Sequence, residues 1–420
     1  MGAALPFTVL GEIEGGVEVR HGGFGSAAVA HPSLPFHFYA LTDRGPNANF
    51  KGPEGEGKSF PFPSFTPTIG LFRVMVSEDN ATAPSVELVS TIELKNPQGE
   101  PITGLPNGPG EGTTGEVPYS ADGSTVLPTD AYGLDAEGLV AVEGEDGGVS
   151  FWVSDEYGPH IVHFDANGTE VERVSPMGVN ADSGDRKIPA VFERRRPNRG
   201  MEGLALTPST NTLVGIMQST LYNPSKAAVM NPTLTRILTF GIDSGHTQQF
   251  LYHQQKDWNA NSEIAALTDT TFLVVERDGE FPTSDTGSQQ QAQKHLYKVD
   301  ISGATNVSGM NFDSLDGLMV NNRTLEEHTW EELRAFGIAP VSKTLVADIV
   351  VEVAASGSSY PHDKTEGLWV ISADLLGVIN DDDFAVTADE EGRLVATVLP
   401  MTGQLDEASL YVLRIDPPLY

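Results

Sequence analysis

Apolar runs of roughly strand length recur along the chain in pairs, with a short polar break inside each pair. The first run of a pair opens on an acidic signature: Glu137-Gly138-Leu139, Glu202-Gly203-Leu204, Glu263-Ile264-Ala265 and Glu366-Gly367-Leu368. The second runs are FWVSDEYG (151–158), TLVGIMQS (212–219), FLVVERDG (272–279) and LLGVINDD (375–382). HFYALTDRGPN (37–47) has the same form, with GGFGSAAVAH before it in place of the signature. The pattern predicts five copies of a two-strand unit.

A third run follows in each copy: GLFRVMV (70–76), HIVHFDANG (160–168), RILTFGID (236–243), HLYKVDI (295–301) and SLYVLRID (409–416). Four of these lead into an alternating fourth run, namely VELVSTIEL, TEVERVS, QQFLYHQQ and TLVADIVVEV. The fifth copy has none of its own, and the N-terminal PFTVLGEIE is placed to supply it. Four antiparallel strands per unit predict an all-β fold, a β-propeller of five blades closed by pairing the N-terminal strand with the last blade. Closure removes exposed sheet edges. Residues 1–420 read as one domain with long insertions at 96–132, 174–200 and 302–343, which leave room for a sixth blade. The third insertion carries a predicted helix over about 325–336, opened by the capping box Thr324-Leu-Glu-Glu327 and ended at Gly337.

In an antiparallel hairpin the start of the first strand and the end of the second share one edge. Glu137 is therefore expected beside Asp155, Glu202 beside Gln218, Glu263 beside Glu276, Glu366 beside Asn380-Asp381, and Gly25 beside Asp43. The innermost strands of a propeller line its channel, so all five pairs converge on one mouth. Carboxylates gathered this way repel one another unless Arg44, Arg277 or a metal intervenes. Oxygen donors without cysteine suit Ca2+, with Mg2+ or Mn2+ as alternatives, and the predicted ligands are Glu137, Glu202, Glu263, Glu366 and Asp155. The competing structural reading is a set of rim carboxylates that accept backbone N–H groups and organise the blade starts.

Composition narrows the class further. Forty-four Gly and 28 Pro favour frequent turns, and the absence of cysteine excludes disulfides and a thiolate nucleophile. A formal charge of −33 repels nucleic acid and anionic membranes. No stretch is long and apolar enough to span a bilayer, and MGAALPFTVLG does not read as a signal peptide. Glycosylation sequons begin at Asn80, Asn167, Asn306 and Asn322. Gly110-Glu-Gly112-Thr-Thr-Gly115 matches a dinucleotide fingerprint literally but lacks the flanking strand and helix. No Gly-x-Ser-x-Gly elbow occurs.

ALTDRGPN (40–47), GLDAEGL (133–139), FWVSDEYGP (151–159), RRRPNRGMEGLALTP (194–208) and FLVVERDG (272–279) together carry a resemblance. Over roughly residues 20 to 415 the chain resembles the phytase-like family described as having esterase-like activity of phytase. The resemblance implies a propeller, in secreted or periplasmic proteins, with hydrolase activity. A fitting mechanism hydrolyses an ester, lactone or phosphoester bond of a small-molecule or oligosaccharide substrate. Asp43 or Asp155 serves as base with Glu156 adjoining, and Arg44 and Arg277 stabilise the oxyanion. Tyr157, His160 and Glu276 contact substrate, joined by the basic patch of Lys187, Arg194, Arg195, Arg196 and Arg199. Two alternatives share the funnel: a lyase acting on an anionic sugar, and a non-catalytic binding module with a structural metal. A monomer is expected.

Overall fold

The computed structural model describes residues 2–13, 15–75, 85–108, 116–145, 147–176, 186–283 and 292–420. The sequon at Asn80 and the fingerprint match at 110–115 lie outside the described residues. The chain is all-β, with 44% strand and 7% helix.

Among the described residues, five four-stranded antiparallel sheets carry the fold. The first runs Ala27–Ala30, His37–Leu41, Thr68–Met75 and Ser85–Glu93. The second runs Ala136–Glu143, Val149–Asp155, Ile161–Phe164 and Glu170–Val174. The third is Met201–Leu206, Thr212–Met217, Leu234–Gly241 and Thr247–His253. The fourth is Ala260–Ala266, Thr271–Arg277, Lys294–Asp300 and Ser342–Asp348. The fifth is Gly367–Ser372, Leu375–Ile379 and Ser409–Arg414, completed by Ala3–Ala4 from the other end of the chain.

Apolar side chains on both faces of these sheets form the cores between neighbours. Tyr39 and Leu41 meet Phe151 and Val153 between the first and second sheets, and Val140 and Trp152 meet Leu204 and Met217 between the second and third. Ile216 and Ile237 meet Phe272 and Val274 between the third and fourth, and Leu273 and Leu296 meet Leu376 and Leu413 between the fourth and fifth. Phe38 and Phe72 of the first sheet pack against Trp369 and Leu410 of the fifth, with Phe38 stacked on Trp369 at 4.9 Å. Burial on two faces explains why these strands read as near-continuous apolar runs.

Two segments differ from the strand pattern. PFTVLGEIE does not complete the fifth sheet; its residues Thr8–Ile13 form a separate hairpin with Val17–His21, and the shorter Ala3–Ala4 pairs with Ser409–Leu410. TLVADIVVEV is strand only to Asp348, whose carboxylate caps a helix, Ile349–Ala355, by accepting from Val351 N. A buried i, i+4 pair, Ile349 and Val353, then holds the helix to the core.

The insertions carry their own structure. Ala48–Gly52, Gly55–Phe60 and Val117–Ser120 form a three-stranded sheet that joins the first insertion to the loop after Asp43. In the third, the Thr324–Glu327 capping box opens a single 3-10 turn, and a second box, Thr329–Glu332, opens the helix Trp330–Ala335.

Candidate functional site: an acidic cavity

The first strand of the second sheet bulges at Glu137: Ala136 pairs with Asp155 and Gly138 with Ser154, leaving Glu137 without a cross-strand partner. Glu202 holds the same bulge between Met201 and Gly203. A bulge re-aims the extra side chain, and both glutamates line one cavity of about 740 Å3. In the fourth sheet the bulge falls between Asn261 and Glu263, so Ser262 occupies it. Glu263 therefore stands where Gly138 and Gly203 stand in their sheets. Its carboxylate is buried and accepts the backbone N–H groups of Ile264, Leu204 and Ala28, clear of the cavity. A one-residue offset is enough to turn a strand side chain to another face.

Of the residues singled out from sequence, Asp43, Arg44, Glu137, Glu156, Arg196, Arg199, Glu202, Arg277 and Glu366 line this cavity. Asp155, Tyr157, His160, Glu263 and Glu276 do not. Asp155 Oδ1 accepts Gly158 N at 3.2 Å and His160 N at 2.7 Å, shaping the turn after its strand. Tyr157 is buried beneath Arg44 and donates its hydroxyl to Gly104 O at 2.6 Å. His160 Nε2 lies 3.1 Å from Asn107 Oδ1, also buried. Glu276 faces between the third and fourth sheets, accepting from Tyr252 Oη and Lys343 Nζ at 2.7 Å each. The expected meeting of Glu263 with Glu276 does not occur, because the bulge shifts the pairing by one residue. The basic patch also divides: Arg195 turns inward to donate to Glu156 O at 2.8 Å, and Lys187 and Arg194 lie away from the cavity.

Among the described residues, ten carboxylates and six cations line the cavity. Among the described residues, three sets of three carboxylates have oxygens within 4.8 Å of one another: Asp43, Asp381 and Asp383; Asp43, Asp135 and Glu137; and Glu137, Glu202 and Glu366. Lys364 already serves the first set, with Nζ 2.9 Å from Asp381 and 2.7 Å from Asp383. Arg277 serves the third, hydrogen-bonded to Glu366 and 3.9 Å from Glu202, with Nε donating to Ser262 Oγ at 2.9 Å. Beside the middle set stand Arg44, 3.2 Å from Asp135 and 2.9 Å from Glu116, and Lys58, which acts on the same two carboxylates.

Burial and like charge set the protonation. Burial first, then Asp383, pushes Asp43 up to about 7. Burial and then neighbouring carboxylates hold Glu137 and Glu202 well above the usual range, and burial does the same for Asp135 against the pull of Arg44. Burial works against the charge on Arg277, yet Glu366 and Glu202 keep it above its ordinary value.

These donors fit a hard cation. They are all oxygens, all but Asp383 are buried, and among the described residues both oxygens of Asp135 and one of Glu202 accept no hydrogen bond, the Arg44 ion pair apart. Such a cluster is costly as free anions and is relieved by protons or by a metal. The buried acidic clusters are thus able to hold a metal ion.

Several site residues escaped the sequence pattern. Asp135 and Lys364 each lie two residues before a signature glutamate, in DAEGL and KTEGL, and that spacing was a usable signal. Lys58 and Glu116 come from the three-stranded sheet, which no repeat announces. At the rim, a turn with Asn198 at φ 53° pairs Arg196 with Arg199 and places both at the cavity, where Arg199 donates to Gln218.

Over 298 residues the chain is 27% identical to an uncharacterized secreted protein of Arthroderma benhamiae; the match takes in 58% of this chain and 56% of that protein. Among solved structures, a Dyadobacter fermentans protein of unknown function aligns over 98% of this chain and 99% of its own, at 9% identity and a TM-score of 0.36. The PQQ-bound aldose sugar dehydrogenase of Streptomyces coelicolor aligns over 98% and 100%, at 9% identity and a TM-score of 0.30. Scores of this size carry no argument about this chain. A family model described as phytase-like, with esterase-like activity of phytase, matches residues 20–384, and the chain belongs to that family.

Proposed function

We propose that residues 1–420 form a single five-bladed propeller, closed through Ala3–Ala4, and that its acidic cavity is the active site of an exported, metal-dependent hydrolase of ester, lactone or phosphoester bonds. The observation that carries this reading is the unevenly compensated row of carboxylates. Lys364 and Arg277 offset its two ends, and the middle, Asp43, Asp135 and Glu137, keeps oxygens without donors.

Asp43, Asp135 and Glu137 would hold the cation, with Glu202 and Glu366 adjoining. Ca2+ suits buried carboxylates of this kind best, with Mg2+ or Mn2+ as alternatives. Such an ion supplies Lewis acidity toward the ester oxygen and lowers the pKa of a bound water. Gly45 N donates to Asp43 Oδ1 at 2.7 Å and orients this carboxyl in the cavity, where it would serve the cation as a ligand and, without the cation, holds a proton up to about pH 7. Glu116 and Asp135 fix the Arg44 guanidinium at the cavity wall, and Ser262 and Glu366 fix that of Arg277. Both are thereby oriented to stabilise charge that develops on an oxyanion without reorganising. Arg196 and Arg199 line the cavity and, with Lys58 among the inner acids, would draw an anionic substrate past an otherwise repellent surface. Family membership and the secreted relative support the hydrolase class and export. The acidic surface argues against nucleic-acid partners, and among the described residues no helix is long and apolar enough to cross a membrane.

The test is metal analysis of the purified protein, followed by turnover of p-nitrophenyl esters, lactones and phosphoesters before and after chelation. Loss of turnover on chelation, and in Glu137→Gln and Asp43→Asn with the fold retained, is the expected result. Wild-type turnover in both variants would overturn the assignment.

A further inference from the structure

Trp258 sits at the tip of the loop after the last strand of the third sheet, 57% exposed, with its backbone in the left-handed region at φ 68°. A lone exposed apolar side chain is ordinary. A bulky residue at positive φ is not, and it persists only where the surroundings hold it. Here they do. Buried Glu276 accepts from Gln255 N at 2.6 Å and from Asn259 Nδ2 at 2.7 Å, pinning both sides of the tip. Gln254 Nε2 donates to Asn259 O and to Gln218 O, each at 3.0 Å, closing the loop base and tying it to the cavity wall. This gives Glu276 a positioning role outside the cavity.

The indole is coupled to the cavity through Arg196, whose guanidinium carbon lies 5.8 Å from the ring centroid and which lines the opening beside Arg199. A rigid aromatic face therefore stands beside Arg196, which lines a cavity walled mostly by charged side chains. A purely apolar ligand has nothing to hold it there. A sugar ring presents a C–H face to an indole and hydroxyls to a charged rim, and a carboxylate or phosphate on that ring pairs with arginine.

We propose that Trp258 and Arg196 form an outer subsite that takes the face of a sugar ring, so that the substrate is an anionic carbohydrate. The inference rests on the cavity being the reaction site, but binding tests it without any turnover. Titration calorimetry would measure a linear hexamer of galacturonic acid against wild type, Trp258→Gly and Trp258→Phe, with maltohexaose as the uncharged comparison. Glycine adopts the positive φ without strain, so that variant removes the ring while sparing the backbone. Loss of the ring weakens galacturonate binding by about tenfold, phenylalanine restores most of it, and maltohexaose binds more weakly than galacturonate. Wild type that binds neither oligomer, or Trp258→Gly that binds galacturonate as wild type does, overturns the subsite. Ring-dependent binding without turnover of any ester would leave the subsite standing and remove the hydrolase reading instead.

Discussion

Ser262 holds in the fourth sheet the bulge that Glu202 holds in the third, and its hydroxyl accepts from Arg277 Nε at 2.9 Å. The carboxylate missing from this position is replaced by an anchor for the guanidinium that serves Glu366 and Glu202. The row of acids is thus interrupted where a cation is built in.

A cation bound at the middle triad must raise stability by mass action. At a free concentration about a hundredfold above Kd the gain is about 2.7 kcal/mol. Melting curves in chelator and in Ca2+ check this: the wild-type midpoint rises with Ca2+, and Glu137→Gln loses most of the rise. An equal rise in the variant would place the ion elsewhere.

Glu263 is expected to be structural. Its carboxylate receives three backbone N–H groups from the third, fourth and first sheets. Glu263→Ala strands these donors at about 1–3 kcal/mol each before relaxation. Denaturant unfolding should show a loss larger than for Glu263→Gln, which keeps one acceptor oxygen.

The acidic signature also needs its glycines. A Cβ on Gly203 would come within 2.6 Å of Ile264 N and 2.8 Å of the Glu263 backbone, in the neighbouring sheet. Gly203→Ala should cost about 1–3 kcal/mol by overpacking. Gly303, with open space around it, is the control, and its alanine variant should fall within about 0.5 kcal/mol of wild type.

The pH dependence of the chelated protein follows from carboxyls raised on folding. Burial lifts Asp155 to about 6, against hydrogen bonds from His160 and Gly158 that lower it, and lifts Asp43 and Asp382 to about 7. The folded state then binds more protons than the unfolded chain between about pH 4 and these values. This contribution is fully present below the unfolded pKa and is lost as pH rises through 6 and 7. Melting temperature in chelator should therefore fall from acid to neutral pH, and Asp155→Asn should flatten the part centred near 6. A melting temperature that climbs over this range would contradict the shifts.

The spacing of apolar runs determined the repeat: five inner hairpins and five third strands lie where the pattern places them, because strands buried on both faces must be apolar throughout. Glu137, Glu202 and Glu366 were readable as one group for the same reason, since each opens an inner strand at the same edge. What lay beyond the pattern was side-chain direction. Whether a bulge falls on a glutamate or on the serine before it depends on how inner strands of adjacent sheets pack, and no single strand encodes that choice. Glu263 accordingly left the site, and Ser262 became the anchor of Arg277. Lys58 and Glu116 joined through contacts between segments far apart in the chain, and Lys364 became a partner where the first and third acids of Asp381-Asp382-Asp383 turned toward it and the second away. Local periodicity specified the strands; the long-range packing of one sheet on the next chose which charges share a cavity.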